Sequence, residues 1–184
     1  VKIMTCLLAL ENAQLTDQVT MTATGVSGVT DGGASISSQV DEVFTVEQCL
    51  YAIMVASAND IALQIAEHVG GSVDNFVQMM NSRAQELGCT NTVFTNPTGL
   101  PDDNQHTTAH DMALIMQAAI QSESFRTIAA ATSYTIPATN KAADRNLTSK
   151  FTMTDTASTG FYEGCIGGKE GYTEASGSTL VCAA

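Results

Sequence analysis

No apolar run in this sequence approaches the roughly 18 residues that a membrane-spanning helix needs. Basic residues are scarce, with seven Lys and Arg against nineteen Asp and Glu, for a formal charge of −12. A basic nucleic-acid footprint is therefore missing, and a phosphate backbone would be repelled. The acidity is spread along the chain rather than gathered in a tail, which reads as a solvated acidic surface. Five cysteines (Cys6, Cys49, Cys89, Cys165, Cys182) show no C-x-x-C spacing, and their odd number argues against a complete disulfide framework. Cys6 and Cys49 fall in apolar helical patterns and read as small buried hydrophobes. Neither G-x-G-x-x-G nor G-x-x-x-x-G-K-[ST] occurs, so Gly167-Gly168 is discounted as a phosphate cradle. No internal repeat and no low-complexity segment is present.

What is present is globular composition: 184 residues, 44% apolar and 14% charged, enough for one domain with a real core. The chain opens inside an apolar run at Val1-Lys2-Ile3, without a signal-peptide pattern. It is therefore expected to be a fragment, with any export signal or anchor outside it. Ile3 to Leu10 reads as a buried helix with Lys2 in its first turn. Residues 15–44 read as short strands and turns, Asp31-Gly32-Gly33 being the clearest turn. Thr45-Val46-Glu47-Gln48 is a capping-box pattern opening a helix that stops at Ala56-Ser57. A second helix is predicted from about Asp60 to Val69, with Gly70-Gly71 as its stop.

Ser72 is predicted to cap a helix whose face is Phe76, Met80, Ala84 and Leu87, ended by Gly88. After the loop Asn96-Pro97-Thr98-Gly99-Leu100-Pro101, Thr108-Ala109-His110-Asp111 is a second capping-box pattern. It opens a helix with the face Met112, Ile115, Met116 and Ala119. Tyr134 to Pro137 reads as a strand end, and Ser178 to Cys182 as the last strand.

Three short motifs occur in a fixed order: Lys2 at the start of the apolar helix, Ser57-Ala58-Asn59 at a break between helices, and Lys169-Glu170-Gly171 entering the last strand. Singly each is ordinary: a snorkelling lysine, a turn, a hairpin end. Together they resemble the S-x-x-K, S-D-N and K-T-G set of penicillin-binding proteins and class A β-lactamases. The flanks carry the likeness further. K-I-M-T, L-Y-A-I-M-V-A-S-A-N-D, F-V-Q-M-M-N-S-R-A-Q-E-L-G, T-V-F-T-N-P-T-G-L, H-T-T-A-H-D-M and G-G-K-E-G-Y-T resemble serine-type D-alanyl-D-alanine carboxypeptidases and span nearly the whole chain.

The resemblance implies an α/β fold of the α+β type: an antiparallel sheet flanked by helices on both sides, β-lactamase/transpeptidase-like, with edge strands missing at both ends. Residues 1–184 would form one transpeptidase-like domain truncated at both ends. The implied activity is removal of the terminal D-alanine from peptidoglycan stem peptides through a serine acyl-enzyme, with β-lactam antibiotics as covalent inhibitors. It implies no cofactor and no metal. It implies an extracytoplasmic setting, with any membrane attachment through segments outside this chain. Lys2 would be the base that takes the serine proton, and Ser57 would relay a proton to the leaving amine. Asn59 would hold Lys2 and the substrate amide. Lys169 would attract the substrate carboxylate, with Glu170, Gly171 and Thr173 lining the same strand. The oxyanion hole would comprise a backbone N–H of the serine and one near Thr173.

Two departures stand out. S-x-x-K places the nucleophile two residues upstream of Val1, so these 184 residues alone are not expected to form the acyl-enzyme. Glu170 stands where the family has threonine; an ionised carboxylate cannot donate a hydrogen bond to the substrate carboxylate and repels it. Weakened substrate binding is expected, unless strand alternation turns Glu170 away from Lys169. The alternatives are an inactive penicillin-binding-like fragment and a class A β-lactamase-like hydrolase. The second would want a glutamate that activates a deacylating water, and no segment between Ser57 and Lys169 supplies one. His106 and His110 have H-x-x-x-H spacing, but no glutamate follows the first histidine and His106 is expected to precede the helix cap, so a structural role is favoured over zinc binding. Asn96, Gly99 and Asp111 are expected to hold loops and helix starts, with a supporting role near the site.

Overall fold

The computed structural model describes residues 1–27 and 33–184. The turn expected at Asp31-Gly32-Gly33 lies largely outside the described residues. Helix α1 (Lys2–Asn12) is the apolar helix read from the sequence, and residues Ile3 through Ala9 are all buried. A helix apolar on every face belongs inside a domain. Accordingly α1 packs against α3 (Val46–Val55), α4 (Asn59–Gly70), α5 (Val73–Glu86), α6 (Ala109–Ala119) and α7 (Glu123–Ala130). The core gathers around it, with Met4, Phe44, Leu50, Ile61, Phe76, Ile115 and Phe125 among its fully enclosed side chains.

The helix boundaries follow local chemistry. Thr45 accepts from Gln48 N and the Gln48 side chain returns to Thr45 N, so the capping box at α3 is complete. Gly71, at φ 74°, supplies the left-handed turn that ends α4. Ser72 and Ser122 cap α5 and α7 by accepting from Asn75 N and Phe125 N. On α5, Phe76, Met80 and Ala84 are buried as predicted, whereas Leu87 is the C-cap residue and only partly covered. At α6 only half of the predicted box forms. Thr108 accepts from Asp111 N, but the Asp111 carboxylate accepts from Asn91 N (2.9 Å) and Thr92 Oγ1 (2.7 Å). Tying down a distant loop engages the carboxylate more fully than the local return bond. Those bonds hold the Asp111 carboxyl below its usual range.

Among the described residues the strand pairing is antiparallel and helices pack against it, as the expected mixed α/β class requires. Among the described residues the strands form three two-stranded ladders: β1 (Gln18–Thr20) with β2 (Val43–Thr45), β3 (Ser133–Ile136) with β4 (Arg145–Thr148), and β5 (Gly167–Thr173) with β6 (Gly177–Ala183). Residues 15–44 thus hold the expected short strands plus a short helix, α2 (Ala23–Ser27), that the sequence pattern did not announce. Lys169-Glu170-Gly171 lies within β5, the penultimate strand, not at the entry to the last one. The ladder aligns Lys169 with Val181 and Glu170 with Leu180. Among the described residues no helix is long and apolar enough to cross a membrane.

The second ladder is tied to the first by a buried ion pair. The Glu42 carboxylate is 0% exposed and accepts from both terminal nitrogens of Arg145, at 2.8 and 3.0 Å. Thr139 Oγ1 and Gln39 N donate to the same carboxylate. Burial raises the Glu42 pKa, but the hydrogen bonds from Arg145, Thr139 and Gln39 outweigh it and hold it below its usual range. Tyr51 of α3 stacks on Tyr134 of β3, with ring centroids 3.8 Å apart.

Candidate active site

The helix break between α3 and α4 is sharp because Ser57 adopts φ 59°, a left-handed conformation rare for a side-chain-bearing residue. Backbone strain of this kind concentrates at functional sites. The Ala58 N–H returns to the Ala52 carbonyl, and Asn59 N donates to Ala34 O. Asn59 and Asp60 then open α4 pointing in different directions. Asp60 is fully buried and accepts from Ser35 Oγ (2.8 Å), Ser38 N (3.1 Å) and Ser38 Oγ (2.7 Å), pinning residues 35–38 to the helix start.

Asn59, 4% exposed, meets the first residue of α1: Lys2 Nζ donates to Asn59 Oδ1 at 2.7 Å. The same nitrogen donates to the Thr98 carbonyl at 2.5 Å. That carbonyl belongs to a turn built by Asn96, whose Oδ1 accepts from Thr98 N (3.2 Å), Thr98 Oγ1 (2.9 Å) and Gly99 N (2.7 Å). Asn96 Nδ2 donates to Leu100 O at 3.0 Å. Thr5, one turn along α1 from Val1, donates to Pro97 O at 2.8 Å and clips the turn to the helix. Gly99 sits at φ 80°, and a β-carbon there would come within 3.2 Å of the Val1 side chain.

Lys2, Ser57, Asn59, Thr98, Lys169, Glu170, Gly171 and Thr173 all line one cleft of about 1290 Å³. Every site residue predicted within the chain is therefore brought to one place. Ser57 lines the cleft from the helix break. Burial, reinforced by the nearby Lys169 charge, lowers the Lys2 pKa from 10.5 to about 8. Thr173 stands at the turn end of β5, where its hydroxyl engages Ser176 Oγ (2.7 Å) and accepts from Ser176 N (3.0 Å). Both strands of this ladder contribute to the cleft lining, β5 through Lys169 to Thr173 and β6 through Thr179 to Cys182.

Glu170 does not turn away. Its Oε1 lies 3.0 Å from Lys169 Nζ, which also donates to the Glu170 carbonyl at 2.7 Å. Strand alternation sends the two Cβ atoms to opposite faces, but long side chains on a twisted, one-sided edge can meet around it.

His106 pairs with Val93 in an isolated β-bridge ahead of the Thr108 cap, so it shares no helix face with His110. Cys6, Cys49 and Cys89 are buried and all five thiols are free. Burial pushes Cys6 up to about 12, which leaves it inert beside Lys2. The sequence reading missed Thr98 and Asp60. The Asn-Pro-Thr-Gly run does carry the side-chain-to-backbone turn signal that creates the Thr98 acceptor, whereas nothing local marks Asp60 as the anchor for a segment some twenty residues earlier.

The D-alanyl-D-alanine carboxypeptidase family, peptidase S11, matches residues 1–184. The D-alanyl-D-alanine carboxypeptidase DacF of Bacillus subtilis is 35% identical over 178 residues, covering 94% of this chain and 43% of the relative. A D-alanyl-D-alanine carboxypeptidase of Mycobacterium tuberculosis is 32% identical over 189 residues, covering 100% of this chain and 60% of the relative. The chain thus spans roughly half the length of these relatives. Among solved structures, a D-alanyl-D-alanine carboxypeptidase from Mycobacterium tuberculosis superposes with a TM-score of 0.86 at 30% identity, covering 100% of this chain and 66% of the other. A Streptomyces DD-transpeptidase superposes with a TM-score of 0.89 at 28% identity, covering 100% and 73%. These likenesses favour neither the inactive-fragment nor the β-lactamase alternative. With the family match running from the first residue to the last, the chain belongs to the D-alanyl-D-alanine carboxypeptidase family.

Proposed function

We propose that this chain carries the catalytic site of a serine D-alanyl-D-alanine carboxypeptidase acting on peptidoglycan stem peptides outside the cytoplasmic membrane. The observation that carries the proposal is the Lys2 ammonium held between Asn59 Oδ1 and the Thr98 carbonyl, with its pKa lowered to about 8. Two of its three N–H directions are anchored. On deprotonation the lone pair takes the remaining direction, toward the cleft.

By the S-x-x-K pattern the nucleophile would be a serine three positions before Lys2, outside these 184 residues. Its Oγ attacks the carbonyl of the penultimate D-alanine as its proton passes to Lys2 Nζ. Backbone N–H groups of that serine and of β5 near Thr173 hold the oxyanion. The proton then reaches the leaving amine through Ser57 as the C–N bond breaks, releasing D-alanine. Water attacks the ester, Lys2 takes the water proton, and the serine is regenerated with the shortened peptide. Asn59 holds Lys2 and the substrate amide, and Gly171 leaves room for the Thr179 hydroxyl, which a β-carbon there would meet at 2.9 Å. Lys169 pairs with the terminal carboxylate. β-Lactams acylate the same serine.

Incubating the intact protein with a diacylated L-Lys-D-Ala-D-Ala tripeptide tests this: free D-alanine in stoichiometric yield with the dipeptide product is expected. Absence of D-alanine release from folded protein would contradict it. Asn96 tests the support for Lys2. Asn96→Ala frees the Thr98 carbonyl and is expected to lower the maximal acylation rate about tenfold while leaving the preceding reversible β-lactam binding unchanged. Saturation kinetics of acylation separate the two.

A further inference from the structure

Glu170 replaces a neutral hydrogen-bond donor with a charged acceptor inside the cleft, and it contacts Lys169 directly. Lys169 is only 9% exposed, and among the described residues its ammonium meets only the Glu170 carbonyl (2.7 Å) and carboxylate (3.0 Å). The cation assigned to the substrate terminus therefore has a carboxylate partner within its own strand. The Glu170 side chain retains 30% exposure, so its second face is open to the cleft.

Lysine and glutamate side by side present one donor and one acceptor. A free carboxylate offers acceptors only, and its charge repels Glu170 at contact distance. A carboxamide offers one of each: its oxygen accepts from Lys169 and its NH₂ donates to Glu170. Discrimination in such a subsite comes from the group that repels as much as from the one that attracts. We propose that Glu170 is a specificity-determining residue that relaxes terminal-group selection, so that D-alanine ends blocked as amides are accepted alongside free carboxylates. This rests on the carboxypeptidase reading for placing the peptide terminus at Lys169.

The test is equilibrium binding of N-acetyl-D-alanine and N-acetyl-D-alaninamide to the intact protein, followed by NMR, for wild type, Glu170→Thr and Glu170→Gln. Wild type is expected to bind the two ligands with affinities within about threefold. Either substitution is expected to shift the ratio about tenfold toward the carboxylate, the size of one charge-assisted hydrogen bond. An unchanged ratio in both variants, or no binding of either ligand to any of the three proteins, overturns the proposal. Because no turnover is involved, a shifted ratio in a protein that releases no D-alanine would sink the hydrolytic reading and leave the role of Glu170 standing.

Discussion

Lys2→Arg is expected to slow acylation of the intact protein by a fluorescent penicillin by about 10³-fold, within the range for loss of a positioned general base. The substitution keeps the positive charge and much of the reach toward Asn59 and the Thr98 carbonyl. What it removes is the ability to become neutral, because a guanidinium stays protonated at any accessible pH. Lys2 can deprotonate near neutrality because burial and the Lys169 charge disfavour its ammonium. The sign for the wild type follows. The working base is the neutral amine, so acylation should rise with pH through about 8 and then level off. Lys2→Arg should lose both the rate and the inflection. Stopped-flow acylation from pH 6 to 10 reads both, and a variant that kept more than a tenth of the wild-type rate would remove Lys2 from the base role.

The largest stability effect is expected at a pair that does not line the cleft. Arg145→Met leaves the Glu42 carboxylate fully buried with its bidentate partner gone. Removing one member of a buried pair exposes the desolvation cost of the other, and a loss of about 3–5 kcal/mol is expected. The double variant Glu42→Gln with Arg145→Met should recover a substantial part, because neither charge is then stranded. The pH dependence has a definite direction. The folded pKa of Glu42 lies below its ordinary value of 4.5, so its contribution is present above that value and is lost as pH falls toward the folded pKa. Urea midpoints at pH 7 and at pH 4 measure this: the wild type should lose more between them than Arg145→Met does. Equal losses would mean that the pair carries no such linkage.

Much of the fold was legible because it is written locally. The apolar run after Lys2, the Thr45–Gln48 box, the Ser72 cap and the faces of α5 and α6 all depend on residues within about one or two turns of one another. The structure reproduces them nearly to the residue. Ser122 caps α7 by the same kind of local signal, a serine three residues ahead of the helix's first apolar position, Phe125, that the sequence pattern did not single out. What was not legible is long-range. Glu42 and Arg145 lie 103 positions apart, and neither has a neighbour that announces the other. Asp111 looked like half of a capping box until its carboxylate proved to be holding Asn91 and Thr92.

The site itself was read from three motifs, and the cleft contains all of them. Sequence could place Lys2, Asn59 and Lys169 together only through resemblance. It could not show that a backbone carbonyl, Thr98, is the second anchor of Lys2, because carbonyls carry no residue identity. Glu170 was legible as a departure but not as a contact: alternation along a strand argues that adjacent side chains diverge, yet Glu170 Oε1 lies 3.0 Å from Lys169 Nζ.

Lys2, anchored by Asn59 and the Thr98 carbonyl, is proposed to be the base of a serine acylation site whose nucleophile lies outside these 184 residues. The decisive measurement is mass spectrometry of the intact protein after brief exposure to benzylpenicillin. One equivalent of added penicillin mass is predicted, mapped to the serine three positions before Lys2 and greatly diminished by Lys2→Arg. No adduct, or an adduct on another residue that persists undiminished in Lys2→Arg, would contradict the account.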